Sequence, residues 1–486
     1  MQFNTFLFIF VFLPIVLLGY YVVNKISINI SNIFVIFASC IFYGYAGIDF
    51  LCKFIGILLI NYLFVILLQS RTEKVQKLKK SILTLGIMLN AGLLLYYKYY
   101  NFFVENLNKL FGHDYSFKHI ILPLGISFFI FQEVSYLIES YRENTSSFSF
   151  VDYILYIVYF PKILMGPLIK PQDLIPQFHN SQNKKCNINN LMVGIRLFNI
   201  GLFKKAILAD TFSRAVGWGF DNIYVLTSMD VVVIMLAYTF QIYFDFSGYS
   251  DMAVGIAKMM NINLSINFDS PYKAISIRDF WNRWHITLTK FLTQYIYIPL
   301  GGSKKGKIRT YINIMIVFLI SGIWHGANWT FILWGLLYGL LQVIERIGEK
   351  IRNKINIVIQ WMVTFTLINF LWLLFRADSV SQWIYLIKQI VVGNDYIISQ
   401  GIMDCFNLPE IQFLMHHFPF SYLDYLINGC PMFLFLVISM LGCLYIKNAY
   451  RRKYTQDLIT PIISAIMFCW SLISLSGETM FLYNNF

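Results

Sequence analysis

The chain has 486 residues, of which 58% are hydrophobic and 13% charged, and its mean hydropathy is +0.61. A water-soluble fold of this length needs a charged surface that this composition does not supply, which excludes a soluble globular enzyme and leaves a polytopic integral membrane protein. The net charge of +13 would suggest nucleic acid in a soluble protein, but here Lys and Arg gather in short stretches between apolar runs, a topology signal, so no nucleic-acid partner is expected.

In chain order, apolar segments run over 5–23, 31–47, 50–69, 82–100, 119–139, 150–169, 188–209, 230–257, 310–323, 328–344, 356–375, 432–447 and 456–475. A crossing helix needs about 20 residues, so the shorter segments read as tilted or re-entrant and the count is about 11–13. The expected fold is all-α, a single membrane domain over residues 1–486. The first segment, with no basic stretch before it and no small-residue cleavage site after it, reads as a retained helix and not a signal peptide.

Four basic stretches, Arg71–Lys80, Lys304–Arg309, Arg346–Lys354 and Lys447–Lys453, read as cytoplasmic loops. Segment 310–344, lying between two of them, then forms a hairpin with His325 at its bend, and the tail after Ser474 emerges on the outer side. The longest polar excursion, 379–431, reads as extracytoplasmic, with surface-lying helices at 383–392 and 418–426. Seven cysteines are scattered without metal-ligand spacing, so no metal site is indicated, and Cys405 with Cys430 is the pairing this topology would allow.

Polar groups inside apolar runs are costly to bury and mark pairing or function. Pro123-Leu124-Gly125-Ile126-Ser127 breaks segment 119–139 ahead of Gln132, Glu133, Ser135 and Glu139. Glu139, Tyr141 and Arg142 read as a solvated helix end, whereas Gln132 and Glu133 lie deeper and read as candidates to line a cavity. Lys162 stands between Pro161 and Pro167 in a broken helix. Gln241, Asp245, Ser247, Asp251 and Lys258 fall on related faces of one run, with Asp245 or Asp251 expected to pair with an arginine of the next segment.

The region 278–339 stands apart because it carries two histidines in polar company. One ends Arg278-Asp279-Phe280-Trp281-Asn282-Arg283-Trp284-His285; the other lies in Ser321-Gly322-Ile323-Trp324-His325-Gly326-Ala327-Asn328-Trp329. Small residues around His325 let another group approach its ring, and an imidazole can take a proton from a hydroxyl and return it to a leaving group. No Ser or Cys stands in a nucleophile motif, which favours direct transfer over a covalent enzyme intermediate. His285 reads equally as a structural hydrogen-bonder.

Together these two motifs resemble the signature of the membrane-bound O-acyltransferase (MBOAT) family, in its bacterial polysaccharide-acetylating branch. Phe42-Tyr43-Gly44, 122–142, 160–167, 243–251, 297–302, Phe375-Arg376-Ala377 and Phe481-Leu482-Tyr483 add to the resemblance, and 380–430 resembles it least. The resemblance implies that His325 is the catalytic histidine and His285 the second one, on the acyl path. It implies a central funnel or tunnel, with Trp324, Asn328, Trp281, Asn282, Arg283, Arg278, Asp245 and Gln132 as its substrate-lining residues. Arg278 and Arg283 would hold oxygens of the donor or pair with Asp279, Asp245 or Asp251. The implied donor is cytoplasmic acetyl-CoA, with no bound cofactor. The implied partners are membrane lipids, an extracytoplasmic SGNH/esterase-like acetyltransferase and an envelope polysaccharide, peptidoglycan ahead of alginate or a secondary wall polymer, at the cell membrane. Alternatives are D-alanyl transfer to teichoic acids, or a polysaccharide or lipid-linked sugar transporter or polymerase in which Glu133 or Asp245 would matter and His325 would not.

Overall fold

In lipid every backbone amide must find its partner inside the protein, and the chain meets that demand with helices alone among the described residues. The computed structural model describes residues 1–145, 147–393, 395–417, 429–446, 448–451, 459–475 and 481–482. Among these described residues, six helices are long and apolar enough to cross a membrane: Ile48–Gln69, Glu73–Phe111, Ser228–Met259, Lys307–His325, Trp329–Ile347 and Ile357–Arg376. Five shorter apolar helices, Phe8–Asn24, Ile28–Gly44, Val380–Val392, Cys430–Tyr445 and Ile459–Ile473, accompany them. The protein is an all-α, multi-pass membrane protein, and it divides into two compact units, Met1–Phe198 with Met252–Ser265, and Asn199–Asp251 with Ile266–Leu482.

The first unit holds α1 (Leu13–Asn24), α2 (Ile28–Gly44), α3 (Ile48–Gln69), α4 (Glu73–Leu94), α5 (Tyr100–Phe111), α6 (Ile126–Tyr141), α7 (Phe150–Val158), α8 (Phe160–Ile163), α9 (Pro171–His179) and most of α10 (Ile188–Phe203). Its outer faces carry exposed Leu18, Val22, Phe37, Leu63 and Met88, a surface suited to lipid tails. Two local expectations fail here. The stretch 71–80 is no loop, because α4 starts at Glu73 and its lysines are good helix formers: Lys77 pairs with Glu73 at 3.4 Å and Lys79 with Glu143 at 2.8 Å. The break expected at Pro123–Ser127 is present, since α6 begins only at Ile126 and Gly125 takes a left-handed φ of 70° after Pro123. Glu139 is no solvated end; it is buried and accepts from Arg142 (3.2 Å), Asn144 (2.6 Å) and Gln172 (2.5 Å). Three donors offset the desolvation that an exposed position would have avoided.

A Cβ on Gly125 would meet the Leu164 backbone at 3.1 Å, so the first helix break packs directly on the second. That second break behaves as anticipated: α7 stops at Val158, and α8 is a single turn carrying Lys162.

The second unit comprises the end of α10, α11 (Asp210–Asp221), α12 (Ser228–Met259) through Asp251, α13 (Ile277–Arg283), α14 (Ile286–Leu292), α15 (Lys307–His325), α16 (Trp329–Ile347), α17 (Glu349–Arg352), α18 (Ile357–Arg376), α19 (Val380–Val392), α20 (Gln400–Asp404), α21 (Pro409–His417), α22 (Cys430–Tyr445) and α23 (Ile459–Ile473). Of the six long helices, α12 is 83% buried over its apolar window against 17–44% for the rest, which makes it a core element and explains its tolerance of polar residues.

The expected hairpin is α15 and α16, joined by Gly326, Ala327 and Asn328. Gly322 and Gly335 face each other so closely that a Cβ on Gly335 would lie 3.1 Å from the Gly322 Cα, the small-residue contact by which helices associate without a hydrophobic driving force. This contact fixes His325, the last residue of α15, at the tip. The helix expected over 383–392 is present as α19, capped by Ser379, which accepts from the Gln382 amide at 3.1 Å. The helix expected over 418–426, and Lys447 and Lys453, lie outside the described residues. Cys405 and Cys430 are both free thiols, so no bridge joins them.

Candidate active site

The second unit brings the two histidine motifs together around one indole ring. The Ser276 hydroxyl caps α13 by accepting from the Asp279 amide at 2.9 Å, and α13 ends at Arg283. His285 then takes a left-handed φ of 42°, a conformation that costs a non-glycine residue about 1–3 kcal/mol and must be held by its surroundings. Asn267 does so from both sides. Its carbonyl accepts from the Ile286 amide at 2.9 Å, and its side-chain oxygen accepts from the Thr287 hydroxyl at 2.6 Å. The elbow thereby turns the His285 ring inward against Phe246, 4.8 Å away.

His325 is reached from the other side, through the hairpin tip. Its ring packs edge-on to Trp334 (5.1 Å) and Phe375 (5.2 Å) and lies 4.8 Å from Trp324. The Trp324 ring is also 6.4 Å from His285, so the two imidazoles flank the same indole. Exposure is 1% for His285 and 3% for His325, which keeps bulk water off both. Behind them stands an aromatic wall in which Trp281 lies 5.7 Å from Trp334 and 5.2 Å from Tyr338.

Of the residues singled out from sequence, His285, His325, Trp324 and Trp281 gather here. Asn328 caps α16, accepting from the Thr330 amide at 3.1 Å and donating to the Asp378 carbonyl at 2.8 Å. Arg283 pairs with Asp279 at 2.8 Å, the bland alternative foreseen for it, while Arg278 and Asn282 are exposed. Trp334 and Tyr338 were not singled out, and Phe246 and Phe375 entered only within stretches that carry the resemblance, since the role of all four depends on contacts between distant segments.

Asp245 and Asp251 depart from expectation. Neither meets an arginine of the following segment: Asp245 pairs with Lys205 at 2.8 Å and Asp251 with Lys204 at 2.6 Å. The cause is a close crossing of α10 and α12, where a Cβ on Gly248 would come within 2.8 Å of the Gly201 carbonyl and both lysines lie just beyond Gly201. The Lys204-Lys205 pair at the end of an apolar run was the overlooked signal. Asp245 also accepts from the Leu482 amide at 2.9 Å, and Phe481 packs 5.2 Å from Tyr249, so this carboxylate holds Leu482 in place.

Gln132 belongs to the first unit, in a cluster of its own. Lys162, fully buried, donates to Gln132 and lies 4.2 Å over the Tyr156 ring, while Glu133 accepts from the Tyr153 hydroxyl at 2.8 Å. Gln132 and Glu133, singled out from sequence as candidates to line a cavity, thus each have a side-chain partner in this cluster. Tyr153 and Tyr156, which complete the cluster, were not anticipated.

Fold and site together define a multi-pass helical membrane protein that encloses a two-histidine centre. Residues 35–379 match the model of the membrane-bound O-acyltransferase family, and the chain belongs to that family. It is 35% identical to a Helicobacter pylori protein named peptidoglycan O-acetyltransferase, over 100% of this chain and 97% of that one. It is 37% identical to a probable alginate O-acetylase of Pseudomonas putida, over 78% of each chain. A teichoic acid D-alanyltransferase of Streptococcus thermophilus is 25% identical over 65% of this chain and 84% of its own. The protein is an acyltransferase, as the motifs led one to expect.

Proposed function

We propose that the chain O-acetylates an envelope polysaccharide, peptidoglycan, drawing on acetyl-CoA as a cytoplasmic donor and working from the cytoplasmic membrane. The observation that carries the reading is the His325 imidazole, enclosed by Trp324, Trp334 and Phe375 at the tip of a closely packed hairpin. The preference for peptidoglycan is supported by the likeness to the Helicobacter protein along the whole chain, against 78% of it for the Pseudomonas relative.

His325 accepts the proton of the attacking hydroxyl as its oxygen bonds to the thioester carbonyl carbon. The carbon–sulfur bond then breaks, and the proton passes from the imidazole to the departing thiolate. The apolar walls exclude water that would hydrolyse the acyl group. His285 holds the opposite side of Trp324 and positions the reacting groups. With Arg283 committed to Asp279, the exposed Arg278 is the arginine left to meet donor phosphates. The attacking hydroxyl belongs to an extracytoplasmic SGNH/esterase-like partner, which then passes the acetyl group to a hydroxyl of the polymer and regains its own.

The test compares base-labile esters on purified peptidoglycan and on exopolysaccharide from intact and deletion cells. Loss of acetate from peptidoglycan alone is the expected result. Loss from exopolysaccharide alone would reassign the acceptor, and loss of ester-linked D-alanine from teichoic acid would replace the acyl group. Unchanged esters with altered polymer amount would replace the reading by transport or polymerisation.

A further inference from the structure

The aromatic wall behind His325 contains polar hydrogens that the described residues leave unused. Trp281 is 5% exposed and Trp334 and Tyr338 are 0% exposed, yet the two indole Nε1 atoms and the Tyr338 hydroxyl have no hydrogen-bond partner among the described residues. An indole N–H can only donate, and a buried donor without an acceptor costs about 1–3 kcal/mol. Native structures hold few such groups, and each calls for a reason.

These three are neighbours. Trp334 and Tyr338 stand one turn apart on α16, their rings 4.9 Å from each other, and Trp281 reaches both from α13 at 5.7 and 5.2 Å. Trp334 also meets the His325 ring at 5.1 Å. The rings cross at 73–83°, and an edge-on N–H contact with a ring face is weaker than a bond to an oxygen, so the packing does not replace an acceptor. The donors are neutral and walled by Phe280 and Phe318. Those surroundings suit a carbonyl oxygen and its transient negative charge better than a phosphate, whose permanent charge would be desolvated without a cation.

We propose that the Trp281 and Trp334 indole N–H groups and the Tyr338 hydroxyl receive the carbonyl oxygen of the acyl group transferred at His325. The inference rests on the acyl-transfer reading above and adds the electrophilic half of the site. As the acceptor oxygen bonds to the carbonyl carbon, the π pair moves onto the carbonyl oxygen and the three donors hold that charge. The pair returns as the carbon–sulfur bond breaks and His325 hands its proton to the thiolate. Donors fixed in advance, in a site without water, stabilise such charge without reorganising.

Tyr338→Phe removes one hydrogen-bonding group and keeps the ring. In membrane vesicles that retain the full-length chain and its partners, supplied with acetyl-CoA, thiol release is expected to fall by about 10²–10³-fold, the effect of deleting one such donor. The melting temperature of the purified variant is expected not to fall, because the hydroxyl makes no bond to any of the described residues. Trp281→Phe gives the same loss of turnover and serves if Tyr338→Phe does not fold. Full turnover in either folded variant overturns the proposal, as does a loss that merely tracks a lower melting temperature. An inactive His325→Ala beside a fully active Tyr338→Phe sinks this inference alone, whereas an active His325→Ala sinks the acyl-transfer reading with it.

Discussion

His325→Ala lowers thiol release from acetyl-CoA by about 10²–10⁴-fold in membranes carrying equal amounts of protein, the range expected when a positioned general base is removed. The ring sits at the end of α15 against Trp334 and Phe375, so its truncation leaves a gap in an aromatic cage. Some loss of stability therefore accompanies the alanine variant. His325→Gln separates the two effects. It fills more of the gap and can still hydrogen-bond, but it cannot carry a proton from one group to another, so its turnover stays as low while its melting temperature recovers. Activity restored by glutamine would make the residue a hydrogen-bonder and move the base elsewhere.

Lys205→Met destabilises the purified protein by about 3–5 kcal/mol, as expected when one member of a buried ion pair is removed. The side chains of Lys205 and Asp245 are 3% and 4% exposed. The geometry makes the two ends unequal. Lys205 also meets Asp210 at 2.9 Å, so Asp245→Asn leaves the ammonium a carboxylate partner. Without Lys205, Asp245 keeps the Leu482 amide, one neutral donor for a full charge. Lys205→Met is therefore the more damaging change, and Lys205→Met combined with Asp245→Leu recovers much of the loss. Thermal unfolding in detergent reads the order; equal losses for the two single variants would mean that Asp210 does not share the charge.

The histidine centre was legible because its signals are local. Basic stretches on either side of 310–344 demanded a hairpin, and Ser321, Gly322 and Gly326 marked its tight end, so His325 could be placed before any contact was known. The wall around it was not legible. Phe246, Trp334, Tyr338 and Phe375 are ordinary apolar or aromatic residues of membrane helices, and only the pairing of α12, α13, α16 and α18 gives them a role. Nor does a histidine announce a left-handed elbow, a conformation that glycine or asparagine normally signals; at His285 the cause is Asn267, far back in the chain. The charged pairs failed for a related reason. Proximity in sequence suggested the arginines after α12, whereas the Gly201–Gly248 crossing selects the lysines before it. At Arg71–Lys80 the charge pattern was read correctly as basic, but charge alone does not distinguish a loop from the first turns of a helix.

The most direct measurement is base-labile acetate on peptidoglycan purified from cells that carry the intact chain, its deletion, or His325→Ala at equal membrane level. The account predicts that His325→Ala matches the deletion, with polymer amount unchanged in all three. Acetate equal to that of the intact chain in His325→Ala cells would contradict it and remove the imidazole from the chemistry.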